Sequence, residues 1–185
     1  MNYTAKDIES FFKQHQNKVS HVIVAHTHFR PFNSTPIKIE HMTYEAKKSL
    51  TYALNCFSKS IHKNYTNKPI RYPHKFRPLS LTTIENIKTT TDNKQTIHFN
   101  ICLGNIPKHL TTTEIEIHFR HAWVKKAKQN NDIYCDAIAE YPCDTKNWFG
   151  YIIKEANRDR QLAWSTNGTW DVLNTWIPNN AQYTD

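Results

Sequence analysis

"TIHFNICL", residues 96–103, is the stretch whose reading decides the fold. Apolar side chains recur at every second position, Ile97, Phe99, Ile101 and Leu103, with Thr96, His98, Asn100 and Cys102 between them. A period of two is the signature of a β-strand with one face turned to a core. The opposite face then presents an imidazole and a carboxamide side by side.

Working outward, "LSLTTIE" (79–85) is a second strand, and the polar stretch "NIKTTTDNK" (86–94) separates it from the first. The pair is predicted to form an antiparallel hairpin. Strict alternation puts Leu79, Leu81, Thr83 and Glu85 on one face, so Glu85 points with the leucines unless a bulge or the strand's end re-aims it. "HVIVAHTHF" (21–29) starts with a continuous apolar run and is predicted to be a central strand, and "DIYCDAIAEY" (132–141) a further one. Helices are predicted over 4–17, with Ile8, Phe11 and Phe12 on one side; over 43–63; and from Thr111–Thr113 through Trp123 and Val124. In the second of these, Thr43 is the N-cap, and Tyr44, Ala46, Leu50, Ala53, Leu54, Phe57 and Ile61 form the buried stripe. In the third, Glu114 and Glu116 occupy the first turn and the helix runs on through Ile117 and Phe119. A fourth helix, "WFGYIIKEANR" (148–158), starts from an Asn147 cap. "NKPIRYPHKFRP" (67–78) reads as a basic, proline-punctuated connection.

The fold class is therefore α+β: a mainly antiparallel sheet of four or five strands with helices packed on one face. The 185 residues suit one domain, taken as 1–160, with a tryptophan-rich extension over 161–185 packed on it through Trp164, Trp170 and Trp176. Three glycines, no P-loop and no GxGxxG argue against nucleotide hydrolysis. The formal charge of +8 favours a polyanionic partner, and its spread suits a folded basic surface better than a disordered arm. Cys56, Cys102, Cys135 and Cys143 form no CxxC and read as reduced thiols. No apolar run approaches the roughly 20 residues of a membrane span, and "MNYTAKDIESFF" is not a signal peptide, so a cytoplasmic location is expected.

On the predicted helix over 148–158, Tyr151 and Lys154 are i, i+3 neighbours and display a phenol beside an ammonium. With His98-Phe99-Asn100 on a strand and Tyr151-Ile152-Ile153-Lys154 on a later helix, the chain resembles the HUH endonucleases of rolling-circle replication. The run "IE…TIHFNICLGNIP…W…WFGYIIKE" is similar in order and spacing to the replication initiators of plasmids and single-stranded-DNA phages, over roughly residues 20–158. The resemblance implies Tyr151 as nucleophile, Lys154 as its electrostatic partner, and a Mg²⁺ or Mn²⁺ ion held by His98, Asn100 and Glu85. It implies nicking and rejoining of single-stranded or hairpin DNA through a 5′-phosphotyrosyl link, with unwinding left to a host helicase. Asn100 departs from the family's second histidine, and a carboxamide oxygen suits a hard cation.

Other readings stand beside this one. His26-Thr27-His28 is a true His-x-His: it could ligate a metal, or one ring could be satisfied in the core while the other touches DNA. Arg30, Arg158 and Arg160 are candidate phosphate contacts, and Glu140 a supplementary acid or a surface charge. A transposase or relaxase would use the same chemistry in other biology. A non-cutting nucleic-acid-binding module would keep the fold with a degenerate metal site.

Overall fold

The computed structural model describes residues 4–64, 66–86, 94–138 and 170–179. The tyrosine helix predicted over 148–158, with Tyr151, Lys154, Arg158 and Arg160, lies outside the described residues, as do Glu140, Cys143 and Trp164.

The described elements are α1 (Ala5–Lys13), β1 (Val19–His26), α2 (Pro36–Ser60), α3 (Lys68–Arg71), α4 (Pro73–Phe76), β2 (Leu79–Glu85), β3 (His98–Gly104), α5 (Thr112–Arg120) and β4 (Ile133–Ala137). A π-helical turn, His121–Lys126, continues α5. The fold is α+β, with four strands in the order β2-β3-β1-β4 and every pair antiparallel. The hairpin read from 79–85 and 95–103 is β2–β3, in register from Leu79 opposite Gly104 to Glu85 opposite His98. A Cβ on Gly104 would lie 1.9 Å from the Lys18 carbonyl oxygen, so only glycine lets β3 run that close to the chain entering β1.

Phe99, Ile101 and Leu103 join Ile23, Ala25 and Ile84 in a core closed by α2, α5 and the π turn. Phe99 meets Trp123 edge to face at 6.1 Å, and Trp123 stacks on Phe119. This packing fixes the aim of the opposite face: with Phe99 locked inward, His98 and Asn100 must point the other way.

The helices do not all lie on one face, as the pattern suggested. Ile8 and Phe12 of α1 pack with Val22, Leu79, Leu81 and Cys102 on the second face. At its N-terminus Thr4 and Asp7 form a reciprocal capping box, whose hydrogen bonds hold the Asp7 carboxyl below its usual range. Thr111 and Glu114 cap α5 in the same way, and that cap was legible in the sequence.

Two local expectations need correction. The cap of α2 is Thr35, not Thr43, because Pro36 fits the first helical position and extends the helix backward. Thr43 is buried within α2, where its hydroxyl bonds to the Ile39 carbonyl and accepts from the Asn86 amide at 2.9 Å. Tyr44 is exposed, because Met42 holds the inward position on α2.

The segment 170–177 lines the β2 edge through bridges Thr83–Trp170 and Ser80–Trp176. Its 3-10 turn, Val172–Asn174, places Asn174 against α2, where Thr51 donates to Asn174 Oδ1 at 2.8 Å and Asn174 donates to the Lys47 carbonyl at 3.0 Å. Covering an edge strand in this way removes a row of open hydrogen-bonding groups.

Candidate metal centre

Three adjacent strands bring His26, His98 and Glu85 to one register level. Cα partners in an antiparallel pair share a face, so all three side chains emerge together. Asn100, opposite Thr83 and Val24, lies one step along the same face. Glu85 keeps the phase of Leu81 without any bulge in β2. The leucines sit at the other end of this face, under α1, so sharing a face with them and facing His98 are compatible.

His98 Nε2 lies 3.4 Å from Glu85 Oε2, and Asn100 Nδ2 donates to Glu85 Oε1 at 2.9 Å. Glu85 and Asn100 are buried, whereas the His98 side chain keeps 18% of its surface exposed. His98 Nδ1 sits 3.3 Å from the Thr96 carbonyl oxygen. A carbonyl only accepts, so Nδ1 carries a proton, and Nε2 faces Glu85 with a second proton or with its lone pair. With the lone pair, two electron-rich atoms face each other across a gap that suits a cation. A histidine whose far nitrogen donates to a carbonyl is the usual form of a metal-ligating histidine.

The His26 ring stacks on His98, with centroids 4.7 Å apart and planes 20° from parallel. Its Nδ1 meets the Thr96 hydroxyl at 3.0 Å, and its Nε2 is 3.9 Å from Asp132. Burial lowers the His26 pKa and the neighbouring His98 lowers it further, against the opposing pull of Asp132 and Glu85. The Trp123 indole donates to the His26 carbonyl at 3.0 Å, so the π turn pins the strand end that carries this ring.

The His-x-His at 26–28 divides. β1 ends at His26, and Thr27 is buried, donating to the Ile97 carbonyl at 2.7 Å. His28 and Arg30 lie beyond the strand and are exposed, and among the described residues no hydrogen bond or ion pair ties either side chain to the cluster. The pattern missed the roles of Thr96, whose carbonyl and hydroxyl serve both rings, and of Asp132. Alternation does place Thr96 with His98, but only the β1–β3 pairing shows that it also reaches His26.

Among the described residues, no three histidine, cysteine, aspartate or glutamate side chains form a complete metal-binding group. Two donors still fit a hard cation. Ligand atoms about 2.1 Å from one ion and roughly 90–110° apart are separated by roughly 3.0–3.5 Å, which matches Glu85 Oε2 and His98 Nε2. Magnesium commonly takes only one or two protein ligands and completes its shell with water and substrate phosphate. Asn100 spends its amide nitrogen on Glu85 and so positions the carboxylate, whereas the resemblance would make it a ligand through oxygen.

Comparison with family models, curated proteins and solved structures finds no match to this chain. Among the described residues no helix is long and apolar enough to cross a membrane.

Proposed function

We propose that the chain is an HUH-type endonuclease that nicks and rejoins single-stranded DNA with Mg²⁺ or Mn²⁺, in the role of a rolling-circle replication initiator. The observation that carries this reading is the confrontation of His98 Nε2 and Glu85 Oε2, with Asn100 holding the carboxylate and Thr96 orienting the imidazole. These residues lie on the strand pair where the resemblance puts its metal site.

The bound cation would polarise a phosphoryl oxygen and orient the scissile phosphate. Glu85 and His98 would hold it at the sheet's polar end, where His26 covers one face of the His98 ring. The Tyr151 oxygen attacks phosphorus, forming a P–O bond as the P–O3′ bond breaks, and the phenolic proton ends on the released 3′ oxygen. Lys154 offsets negative charge as the phenol ionises. The reverse attack by the 3′-OH rejoins the strand without ATP.

The test is a denaturing gel of labelled single-stranded origin DNA incubated with protein and Mn²⁺. A covalent adduct is expected, absent from Tyr151→Phe and at least about 100-fold weaker in His98→Ala. A non-cutting nucleic-acid module is the second reading, and the feature that favours it is Asn100 standing where the family has its second histidine. Binding without any adduct would select that module. Strand transfer between two hairpin-flanked ends would select a transposase of the same chemistry.

A further inference from the structure

The charge of this molecule is segregated. Residues 46–84 carry eight lysines and arginines and no acid, while the other 16 basic and 16 acidic residues of the chain cancel. The whole net charge of +8 therefore belongs to one segment, running from α2 through α3 and α4 to β2. Within it Lys48 is paired with Glu45. Lys63, Lys68, Arg71 and Lys75 are exposed and, among the described residues, form no ion pair with a carboxylate.

Three of these cations, Lys68, Arg71 and Lys75, sit on the lobe formed by α3 and α4. His62 meets the Phe76 carbonyl at 2.9 Å and its ring at 5.4 Å. Asn105 donates to the Arg77 carbonyl at 2.9 Å, and the Arg77 guanidinium lies 4.6 Å over Trp176. Two of the aromatic rings here carry cations, with Lys68 and Lys75 over Phe76 and Arg77 over Trp176, while Tyr72 is exposed. Rings covered in this way are poor platforms for unstacked bases, on which single-strand binders depend. What the lobe offers is pre-positioned positive charge, the requirement for a regular phosphate backbone.

We infer that the α3–α4 lobe is a docking surface for the phosphate backbone of duplex DNA, such as a hairpin stem. The inference rests on the reading of the chain as DNA-acting, and it adds a second contact region to the site at His98. The lobe joins β2 at Leu79, whereas the site lies at Glu85. Six strand steps separate these ends by about 20 Å, the length of roughly six base pairs. A stem held on the lobe would thus place single-stranded DNA at the site about half a helical turn away.

The experiment is fluorescence anisotropy with two probes: a hairpin of about 12 base pairs with a single-stranded tail, and a single strand of about eight nucleotides. The variant is Lys68→Gln/Arg71→Gln/Lys75→Gln, with Lys68→Arg/Lys75→Arg as the charge-retaining control. Hairpin affinity should fall at least about tenfold, and the slope of log K against log salt should shrink by about two to three. The short strand should bind as before, and the arginine control should bind both probes like the parent. Equal loss on both probes, an unchanged hairpin affinity, or matching loss in the arginine control would overturn the inference. Lobe-dependent binding to phosphatidylserine vesicles with none to the hairpin would overturn it in favour of a membrane surface. A protein that forms no covalent adduct yet shows the hairpin-specific loss keeps the docking surface and loses the nuclease. Adduct formation with no loss in the variant does the reverse.

Discussion

One face of this sheet does two opposite things at its two ends. Around Leu79, Leu81, Val22 and Cys102 it is dry and sealed by Ile8 and Phe12 of α1. A few residues further along the same strands it carries Glu85, His98, Asn100 and His26. The backbone is irregular at the sealed end, where the β1–β3 register shifts between Val19 and His21, and regular at the polar end, so it is the side chains that make the polar end distinctive. Burial of apolar area holds the first end together. The second end buries a carboxylate and a carboxamide, which costs free energy unless each is hydrogen-bonded or paired. A group retained at such a cost is a candidate for function, and this contrast marks the site more clearly than the spacing of any motif.

Substitutions at the two ends should therefore separate stability from chemistry. The largest stability effect is expected from Phe12→Ala at the sealed end. Loss of that fully buried ring should cost about 3–5 kcal/mol in urea denaturation, while the Mn²⁺ affinity of the folded fraction stays within about twofold of the parent. At the polar end, Asn100→Ala removes the donor to Glu85 Oε1. It should lower metal affinity about 10–100-fold at a stability cost of about 1–3 kcal/mol, read by calorimetric titration and by denaturation. If Asn100→Ala instead behaved like Phe12→Ala, the two ends would not differ in kind.

The smallest effect is in pH dependence. His15, His21, His26 and His118 all have pKa values lowered mainly by burial. As pH falls, the unfolded chain takes up these protons before the folded one. Stability is therefore complete above the ordinary imidazole pKa and declines as pH drops below about 6.5. Around His26, His98 on β3 adds to the lowering, and Asp132 before β4 and Glu85 on β2 oppose it. His26→Gln should make the decline shallower in denaturation series between about pH 5 and 7.5. An unchanged slope would mean that this ring titrates alike in both states.

What the sequence disclosed follows the range of the interactions. The hairpin of β2 and β3, the aim of His98 and Asn100, and the Thr111 cap depend on neighbours in the chain, and all were readable there. The Thr43 cap was misread because its hydroxyl turns to Ile39 and to Asn86, a partner 43 residues away. Glu85 looked misdirected because a run of leucines suggests a single core, and alternation does not reveal that α1 seals the far end of the polar face. The stacking of His26 on His98 requires β1 to lie beside β3, a pairing between strands distant in sequence. The positive charge read as spread along the chain, whereas its excess falls within residues 46–84, and the place of that segment at the opposite end of β2 from the site needed the fold.

The most direct test of the account is whether a divalent cation occupies the gap between Glu85 and His98. Titrating Mn²⁺ into the protein while following the free-ion EPR signal reads this without any reaction. The account expects one ion taken up per chain, with affinity reduced at least about tenfold in both Glu85→Gln and His98→Ala. Equal uptake by the parent and both variants, or no uptake by the parent, would contradict it.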